Sequence, residues 1–540
     1  MASVCVERLD HLGVVASVIK ELGIVEKVDA RLGLHDQEEL TAGEAIAGMI
    51  LNGLGFSDRP LTLTPQFFVN KPLDLLFREG VRAEMFNRFK LGRTLDEAYA
   101  YGCDLLFSEL SLAVCCQEHI DTRFNHLDTT SFSLTGDYVL DSDEHAIAII
   151  YGYSKDHRPD LKQAVLELMV SQDGGVPLMS KSWDGNASDT KIFQERAQAL
   201  ITTFRASPSP RYVVADAKLY SEENAANLQK LGFITRVPGT LKLVTHVIAQ
   251  ALGGDTWQSL DETTRYQAIE LCHYGMAQRW LVVWSQASYE RAVASVDKAC
   301  QREAAAIAKQ LFHLQAQRFE TPTQAHETLA GLAKQWCYHQ VESAALIEYK
   351  RYGKKGRPTG GTPLKAIEWQ MQVRVKPDAE RLEVLKHHKA CYVLGTNIKA
   401  EQLSDAEVIA GYKGQAQAEG GFRFLKDPLF FVSSLFVKKP SRIQGLLMVM
   451  TLALLVYSVA QRRLRRALLC QNETIPNQIN QPTSRPTLRW VFQVLEGIER
   501  VRVMVAGEMH DVITGLNAVK IKILRLFGEQ VCHMYQLPAG

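Results

Sequence analysis

One stretch of this chain constrains its fold more than any other. Residues 411–427 read GYKGQAQAEGGFRFLKD. At 3.6 residues per turn, polar side chains spaced by three and four residues fall on one stripe of a helix. They are Tyr412, Gln415, Glu419, Arg423 and Lys426. A stripe with one acid, two cations and a phenol can hold a metal ion next to a phosphate backbone. Such a site needs further carboxylates, which must come from distant parts of the chain.

Two earlier segments are built to supply those carboxylates. Residues 125–136 (NHLDTTSFSLTG) place Asp128 inside a strand-like run, where two β-branched threonines follow it. Residues 211–221 (RYVVADAKLYS) contain a short apolar strand that ends at Asp216. We predict that Asp128, Asp216 and Glu419 form one metal site. Other aspartates are rivals for the first position: Asp121, Asp137, Asp141 and Asp143.

The order of predicted elements around these acids is that of a ribonuclease H-like core. We predict strands at 126–134, 146–152, 164–170, 212–215 and 233–237, and helices at 189–204 and 221–231. Asp189 is the candidate N-cap of the first of these helices. In the order β-β-β-α-β-α-β, the first and fourth strands lie side by side, so Asp128 and Asp216 would meet. The predicted fold class is α/β: this mixed-sheet core is interrupted by a large α+β insertion domain, with an N-terminal helical domain and a helical C-terminal tail.

The element pattern also divides the chain into domains. Residues 1–118 read as helical, with a capping box at Thr41 and Glu44. They are equally consistent with a domain for DNA end binding or dimerisation and with a plain scaffold. The predicted division is 1–118 helical domain, 119–240 first part of the core, 241–390 insertion, 391–468 second part of the core with the Glu419 helix, and 469–540 linker and C-terminal helical segment.

Composition excludes several classes of protein. The chain is 46% hydrophobic and 22% charged, with a net charge of +1, as in ordinary globular proteins. Ten cysteines without a CxxC spacing are expected to be reduced core thiols of a cytoplasmic protein. The apolar run at 445–460 is shorter than the roughly 20 residues of a membrane span, so we predict a buried core helix and no membrane partner.

Local charge favours a nucleic acid partner. Residues 420–466 hold nine lysines and arginines, including Lys438 and Lys439, against the single acid Asp427. Phosphate is the expected counter-charge. The basic loop at 350–358 (KRYGKKGRP) is equally consistent with a solvated turn and with contact to a DNA backbone.

At these residues the chain resembles the DDE transposases of bacterial insertion sequences, in the group marked by Y-x2-R-x3-E-x6-K. Tyr412, Gln415, Glu419 and Lys426 match that spacing, with Gln in place of Arg. HLDTTS and VVADAKLYS resemble the first two acid motifs of the family, and 152–163 and 185–190 resemble further segments.

The resemblance implies a metal-dependent recombinase that nicks DNA at terminal inverted repeats and joins the freed 3′-OH to target DNA. Asp128, Asp216 and Glu419 would bind two Mg²⁺ (or Mn²⁺) ions, which suits in-line phosphodiester cleavage. Tyr412 and Lys426 would contact phosphates near the cut. The other predicted DNA contacts are Gln415, Arg423, Lys438 and Lys439. Two DNA ends must be held together, so we expect a homodimer on DNA, at the nucleoid of a bacterial cytoplasm.

Departures from the family pattern leave alternatives open. Gln415 cannot supply the charge of the missing Arg; Arg423 is the candidate replacement, with a surface ion pair as the alternative. Gly420 and Gly421 either permit close approach to DNA or weaken the helix of a decaying copy. The competing functions are a catalytically silent DNA-binding protein and a cellular ribonuclease H-like nuclease.

Tryptophans of the insertion are a further open point. Trp257, Trp280 and Trp284 are candidates to support a flipped base, with core packing as the alternative for each.

Overall fold

The computed structural model describes residues 4–57, 60–136, 138, 146–156, 158–205, 207, 209–353, 363–430, 437–505 and 508–538. The rivals Asp137, Asp141 and Asp143, and residues 354–358 of the basic loop, lie outside these residues. The chain forms two compact units. Unit 1 comprises Met1–Thr235, Tyr274–Met276 and Gln402–Gly540, and unit 2 comprises Arg236–His273 and Ala277–Glu401.

The regular elements alternate along the chain. The strands are β1 (Val4–Arg8), β2 (Phe124–Leu134), β3 (Lys162–Ser171), β4 (Pro177–Trp183), β5 (Tyr212–Ala215), β6 (Gly232–Arg236), β7 (Gln258–Asp261), β8 (Thr264–His273), β9 (Met276–Ser285), β10 (His339–Tyr352), β11 (Leu364–Pro377), β12 (Cys391–Thr396), β13 (Ile475–Pro476), β14 (Pro482–Thr483), β15 (Glu499–Val505) and β16 (Glu508–Thr514). The α-helices are α1 (Leu12–Glu21), α2 (Ile24–Leu32), α3 (Ala42–Leu54), α4 (Thr64–Phe68), α5 (Leu73–Leu76), α6 (Arg88–Tyr101), α7 (Cys103–Gln117), α8 (Asp189–Arg205), α9 (Ala225–Leu228), α10 (Lys242–Leu252), α11 (Gln286–Ala316), α12 (Pro322–Ala333), α13 (Ala379–Ala390), α14 (Asp405–Lys413), α15 (Ala416–Leu425), α16 (Pro440–Cys470), α17 (Leu488–Val494), α18 (Ala518–Leu526) and α19 (Glu529–Met534).

Unit 1 contains a mixed sheet with the strand order β4-β3-β2-β5-β6. The first three strands are antiparallel neighbours, while β5 runs parallel to both β2 and β6. This is the ribonuclease H-like order, and the predicted fold class is confirmed. The strand that contains Asp128 lies directly beside the strand that ends before Asp216.

The second strand of this sheet is not where the sequence placed it. Residues 146–152 form no strand and contribute a single bridge, between Ile150 and Gln163. Backbone amides in this run donate to side chains instead: Ile147 N–H to Gln444 and Ala148 N–H to Asp184, at 3.1 and 2.8 Å. The second and third strands are therefore β3 and β4. β4 was missed because its sequence, PLMSKSW, is too polar to read as a buried strand.

The chain termini pair with each other, which the helical reading of both ends did not anticipate. β1, β15 and β16 form a three-stranded antiparallel sheet. Arg500 of β15 is fully buried, and its guanidinium donates to Glu7 and Asp74 at 2.6–2.8 Å. The C-terminal segment is thus part of the N-terminal core rather than a separate tail.

Helix α16 is the central helix of unit 1. It has 31 residues, and its most apolar 18-residue window has a mean hydropathy of 2.0. By length and composition the helix could cross a membrane, but 89% of that window is buried inside the protein. The run at 445–460 is accordingly a core helix, as predicted. Gly445 lies against the backbone of α6, where an added Cβ would be 3.1 Å from Leu95 O.

Unit 2 has its own hydrophobic core and a separate two-stranded sheet formed by β10 and β11. Four of its strands follow the order β12-β9-β8-β7, and α11 and α12 pack on the β10–β11 hairpin. Trp280 is fully buried, which supports core packing. The Arg265 guanidinium lies 4.9 Å from the ring centroid of Trp257 and 4.7 Å from that of Trp284.

Candidate active site

Asp128 and Asp216 come together because their strands are parallel neighbours in register. Leu127 pairs with Ala215, so the next residue on each strand is one of the two acids. Backbone amides orient both carboxylates: Thr129 N–H donates to Asp128 Oδ1 at 2.7 Å and Lys218 N–H to Asp216 Oδ1 at 3.0 Å. The fixed register of the sheet places both acids at the point where β5 ends.

The environment of Asp128 concentrates negative charge. Burial raises the pKa of this carboxyl to about 6; the ammonium of Lys155 and the Thr129 amide oppose the shift, and the charges of Asp216 and Asp189 add to it. Asp216 and Asp189 therefore add negative charge around Asp128, and a region of negative charge favours a cation. The donors are hard carboxylate oxygens, the type that Mg²⁺ prefers.

A third aspartate belongs to this cluster, and the sequence suggested it only as a helix cap. Asp189 is the first residue of α8. It accepts hydrogen bonds from the Thr129 hydroxyl and, at 2.5 Å, from the Lys218 ammonium. Lys155 Nζ lies 3.6 Å from Asp189 Oδ1 and 3.9 Å from Asp128 Oδ1. Burial opposes ionisation of Asp189, but the hydrogen bonds from Lys218 and Thr129 and the charges of the two lysines lower its pKa overall.

The signal for this cluster was present in the sequence. Asp189, Lys155 and Lys218 each lie in a segment that resembles the family, namely 185–190, 152–163 and 213–221. Two lysines and a third acid in such segments indicate a charge network around the acid pair.

The helix that carries Glu419 is not continuous, contrary to the single-helix reading. α14 ends at Lys413 and α15 begins at Ala416. Between them the chain forms a 3₁₀-type turn, in which Gln415 N–H donates to Tyr412 O, three residues earlier, at 2.9 Å. The Gln415 side chain is buried, with its Oε1 3.2 Å from His126 Nδ1, and its Nε2 donates to Leu127 O at 3.3 Å.

Small residues let these two helices lie close to the sheet. A Cβ added at Gly414 would be 2.7 Å from His126 Nε2, and one at Gly411 would be 2.9 Å from the ring of Phe124. One at Gly421 would be 3.3 Å from Leu168 Cδ2, whereas one at Gly420 would meet nothing within 4 Å. Gly421 therefore serves packing, and Gly420 faces solvent.

The contacts of α15 place Glu419 along β2. Gln415 lies at His126, and the ammonium of Lys426 lies 5.7 Å from the ring centroid of Phe132. Four helical residues rise about 6 Å, and two strand residues rise about 7 Å. Glu419, four residues after Gln415, therefore comes level with Asp128, two residues after His126.

Glu419 itself is exposed in this structure. Within the residues that the structure describes, no group of three or more His, Cys, Asp or Glu side chains is arranged to hold a metal ion. The structure thus brings Asp128 and Asp216 to the same level of the sheet, and among the described residues these two and Glu419 do not form such a group.

The predicted DNA contacts differ in their surroundings. Tyr412 is half-buried, and Arg423, Lys438 and Lys439 are exposed. Lys426 donates to Asp156 at 2.7 Å. Gln415 is buried and bonded as described above, so it does not present its side chain to solvent.

The cation excess at 420–466 is partly neutralised by acids from distant segments, which corrects the reading of its charge. Among the residues that the structure describes, four of the nine cations form ion pairs: Lys426 with Asp156, Arg442 with Asp96, Arg462 with Asp173, and Arg463 with Glu118 and Glu21. Sequence proximity does not reveal these partners.

Comparison with known proteins identifies the family. The model of a family described as "Transposase DDE domain" matches residues 126–456, which is more than half of the chain. The chain belongs to the DDE transposase family. Residues 4–112 of this transposase match the model of a domain of unknown function, DUF4277. No protein with a curated description matches it.

One solved structure similar to this transposase is the piggyBac transposase synaptic complex with hairpin DNA, determined by cryo-electron microscopy. The two chains are 9% identical, and the match covers 92% of this chain and 82% of that chain with a TM-score of 0.36. DDE transposases act on DNA in transposition, and their chemistry generally depends on divalent metal ions.

Proposed function

We propose that this transposase cuts DNA at the terminal inverted repeats of its own element and joins the freed 3′-OH to target DNA, with Asp128, Asp216 and Glu419 as catalytic acids. The observation that carries the proposal is the acid pair at matched positions of two parallel strands. The level of Glu419 along β2 supports its place as the third acid.

The residues present fit a divalent cation. Asp128, Asp216 and Glu419 would hold two Mg²⁺ or Mn²⁺ ions, which activate the attacking oxygen and stabilise the leaving oxygen of an in-line displacement. The site favours positive charge, as two observations indicate. The pKa of Asp128 is raised, and the ammonium groups of Lys155 and Lys218 lie beside the acids.

The chain's own side chains divide the remaining tasks. Tyr412, Arg423, Lys426, Lys438 and Lys439 would contact DNA phosphates. Of these, Arg423 and the two lysines at 438–439 are exposed and lie in or after the helix that carries Glu419. Gln415 would act by fixing α15 on β2 rather than by touching DNA.

Two residues that depart from the family pattern, Gln415 just before α15 and Gly421 within it, favour an active enzyme over a decayed copy. Gln415 makes two hydrogen bonds to β2, and Gly421 fills a close contact with the sheet. Gln415 and Gly421 therefore have packing roles, whereas a Cβ added at Gly420 would meet nothing within 4 Å. Two ends must be synapsed, so the acting form would be a homodimer on DNA, at the nucleoid of a bacterial cytoplasm.

Cleavage of a duplex that carries the DNA flanking the gene tests the proposal. Asp128→Asn and Asp216→Asn should abolish Mg²⁺-dependent nicking while gel-shift binding of the same duplex persists. Asp255→Asn, at an exposed aspartate of unit 2, is the matched control and should cut normally. Normal cutting by Asp128→Asn would refute the assignment, and a wild-type protein that binds but never cuts would favour the silent DNA-binding alternative.

A further inference from the structure

A second feature of unit 1 has the character of a binding site. A cavity of about 420 Å³ opens where α6 and α16 begin. Its lining includes Arg88 and Phe89 from α6, and Lys438, Lys439 and Arg442 from the start of α16. This volume lies within the range of ligand pockets.

The cavity is positively charged. Four of its lining residues are cationic, and none of those that the structure describes there is acidic. Arg442 is fixed by two hydrogen bonds to Asp96 at 2.6 and 2.8 Å, and Gly92 leaves room for its guanidinium. Arg88, Lys438 and Lys439 are exposed.

The start of α16 adds to this field. The side chain of its N-cap residue, Lys439, makes no capping hydrogen bond, and the first turn of this 31-residue helix contains no acid. The positive end of the helix dipole therefore reinforces the lysines. An anion with several oxygens, such as a phosphodiester, matches the arrangement.

Phe89 gives the cavity a second property. The side chain is 66% exposed although it is a large aromatic group. The Arg88 guanidinium lies 4.7 Å from its ring centroid, so cation and ring form a stacked platform. Aromatic rings and guanidinium planes are the surfaces on which unpaired bases stack.

We propose that this cavity holds one unpaired nucleotide of a DNA strand, with the base on Phe89 and its phosphates on Lys438 and Lys439. The nucleotide is unpaired because only a base outside the double-helical stack can present its face to the ring. This proposal rests on the proposed function, because its ligand is DNA whose ends are opened by cutting. It adds a site that holds a DNA strand and is separate from the catalytic acids.

Binding without catalysis tests the role of the ring. We would measure fluorescence anisotropy of a labelled 12-nucleotide single strand, and of the duplex of the same sequence, with the full chain in EDTA. Phe89→Ala should weaken single-strand binding about 5- to 100-fold and duplex binding less than about 3-fold, because stacking on one aromatic ring is lost. Phe89→Trp should restore single-strand binding. Phe312→Ala, at a phenylalanine that is 72% exposed in unit 2, is the matched control and should bind as wild type.

The lysines give an independent readout. Lys438→Ala with Lys439→Ala should weaken both DNA forms and reduce the single-strand salt slope by about 1.4, the value for two phosphates. The control pair, Lys230→Ala with Lys298→Ala at exposed positions elsewhere, should leave the slope unchanged.

Two results would overturn the proposal: wild-type single-strand affinity in Phe89→Ala, or an equal loss of single-strand and duplex binding, which would indicate a general structural role. Because binding is measured in EDTA, it is independent of cutting. If Phe89 behaves as stated in a protein that never cuts, the cleavage proposal fails and the strand site stands. If Asp128→Asn abolishes cutting while Phe89→Ala binds single strands like the wild type, the cleavage proposal stands and the strand site fails.

Discussion

Two glycines near Glu419 should respond in opposite ways to the same substitution. Gly420→Ala adds a methyl group that meets nothing within 4 Å, in the middle of α15. Gly414→Ala places its Cβ 2.7 Å from His126 Nε2 and 2.8 Å from Gln172 Oε1. The backbone of Gly414 is right-handed helical, at φ −65° and ψ −14°, so alanine is tolerated there by the chain itself. Any penalty must come from the contact.

The magnitudes follow from these environments. Gly420→Ala should stabilise the helix by about 1 kcal/mol, the helix-propensity difference. Gly414→Ala should cost about 1–3 kcal/mol as an overpacking change. His126 cannot move freely, because it is buried and its two ring nitrogens lie 3.2 and 3.3 Å from Gln415 and Gln172. We expect the two variants to differ by about 2–4 kcal/mol in local stability.

Amide hydrogen exchange of peptides from 405–425, followed by mass spectrometry, measures this difference, because local opening sets the exchange rate. Exchange should slow about 5-fold in Gly420→Ala and accelerate about 5- to 150-fold in Gly414→Ala, since 1.4 kcal/mol is a factor of ten. Cleavage should fall in Gly414→Ala, which displaces Glu419, and persist in Gly420→Ala. Equal exchange in the two variants would refute the close packing of α14 and α15 on β2.

Three further predictions concern charge. Burial lowers the pKa of His11 to about 4, so between about pH 6.5 and pH 4 the unfolded chain binds a proton that the folded protein does not. As the pH decreases through this window, the free energy of unfolding should decrease by about 3 kcal/mol, and urea unfolding of His11→Gln should lack this pH dependence. Arg500→Met leaves the carboxylates of Glu7 and Asp74 without their buried cation and should cost about 3–5 kcal/mol in urea unfolding; an unchanged midpoint would contradict the ion-pair geometry. Asp189→Asn removes the charged partner of Lys218. Because groups that support metal ligands affect metal affinity, the Mg²⁺ concentration for half-maximal cleavage should rise about 10- to 100-fold, and the cleavage rate should recover at high Mg²⁺. A lower maximal rate with an unchanged Mg²⁺ dependence would indicate another role for Asp189.

The elements that define the catalytic sheet were predictable where burial on both faces produced continuous apolar runs. The strand at 212–215 coincides with β5, and the helix at 189–204 nearly coincides with α8. The run at 146–152 was misread because apolar residues can also pack as irregular chain. Its amides are satisfied by the side chains of Gln444 and Asp184, which no local pattern reveals.

Periodicity also overstated the regularity around Glu419. The polar stripe is real, but a tight turn at Gly414 and Gln415 interrupts the helix, and the same sequence contains a complementary stripe of small residues. Gly411, Gly414, Ala418 and Gly421 recur at intervals of three, four and three, and they mark the face that contacts the sheet. Reading the apolar face together with the polar one would have predicted which side of the helix packs on β2.

The acid pair and the charge network around it differ in what determines them. The meeting of Asp128 and Asp216 follows from strand order alone, because parallel neighbours that start in register bring equivalent positions to the same level. The contacts among Asp189, Lys155 and Lys218 depend instead on the directions in which their side chains extend. Asp189 extends from the start of a helix and the two lysines from loops, all toward the acid pair. Topology can be inferred from element order, whereas side-chain reach cannot. The same distinction explains the cations of 420–466: their number is visible in the sequence, but the acids that neutralise four of them come from other elements, so composition alone overestimates the charge left for DNA.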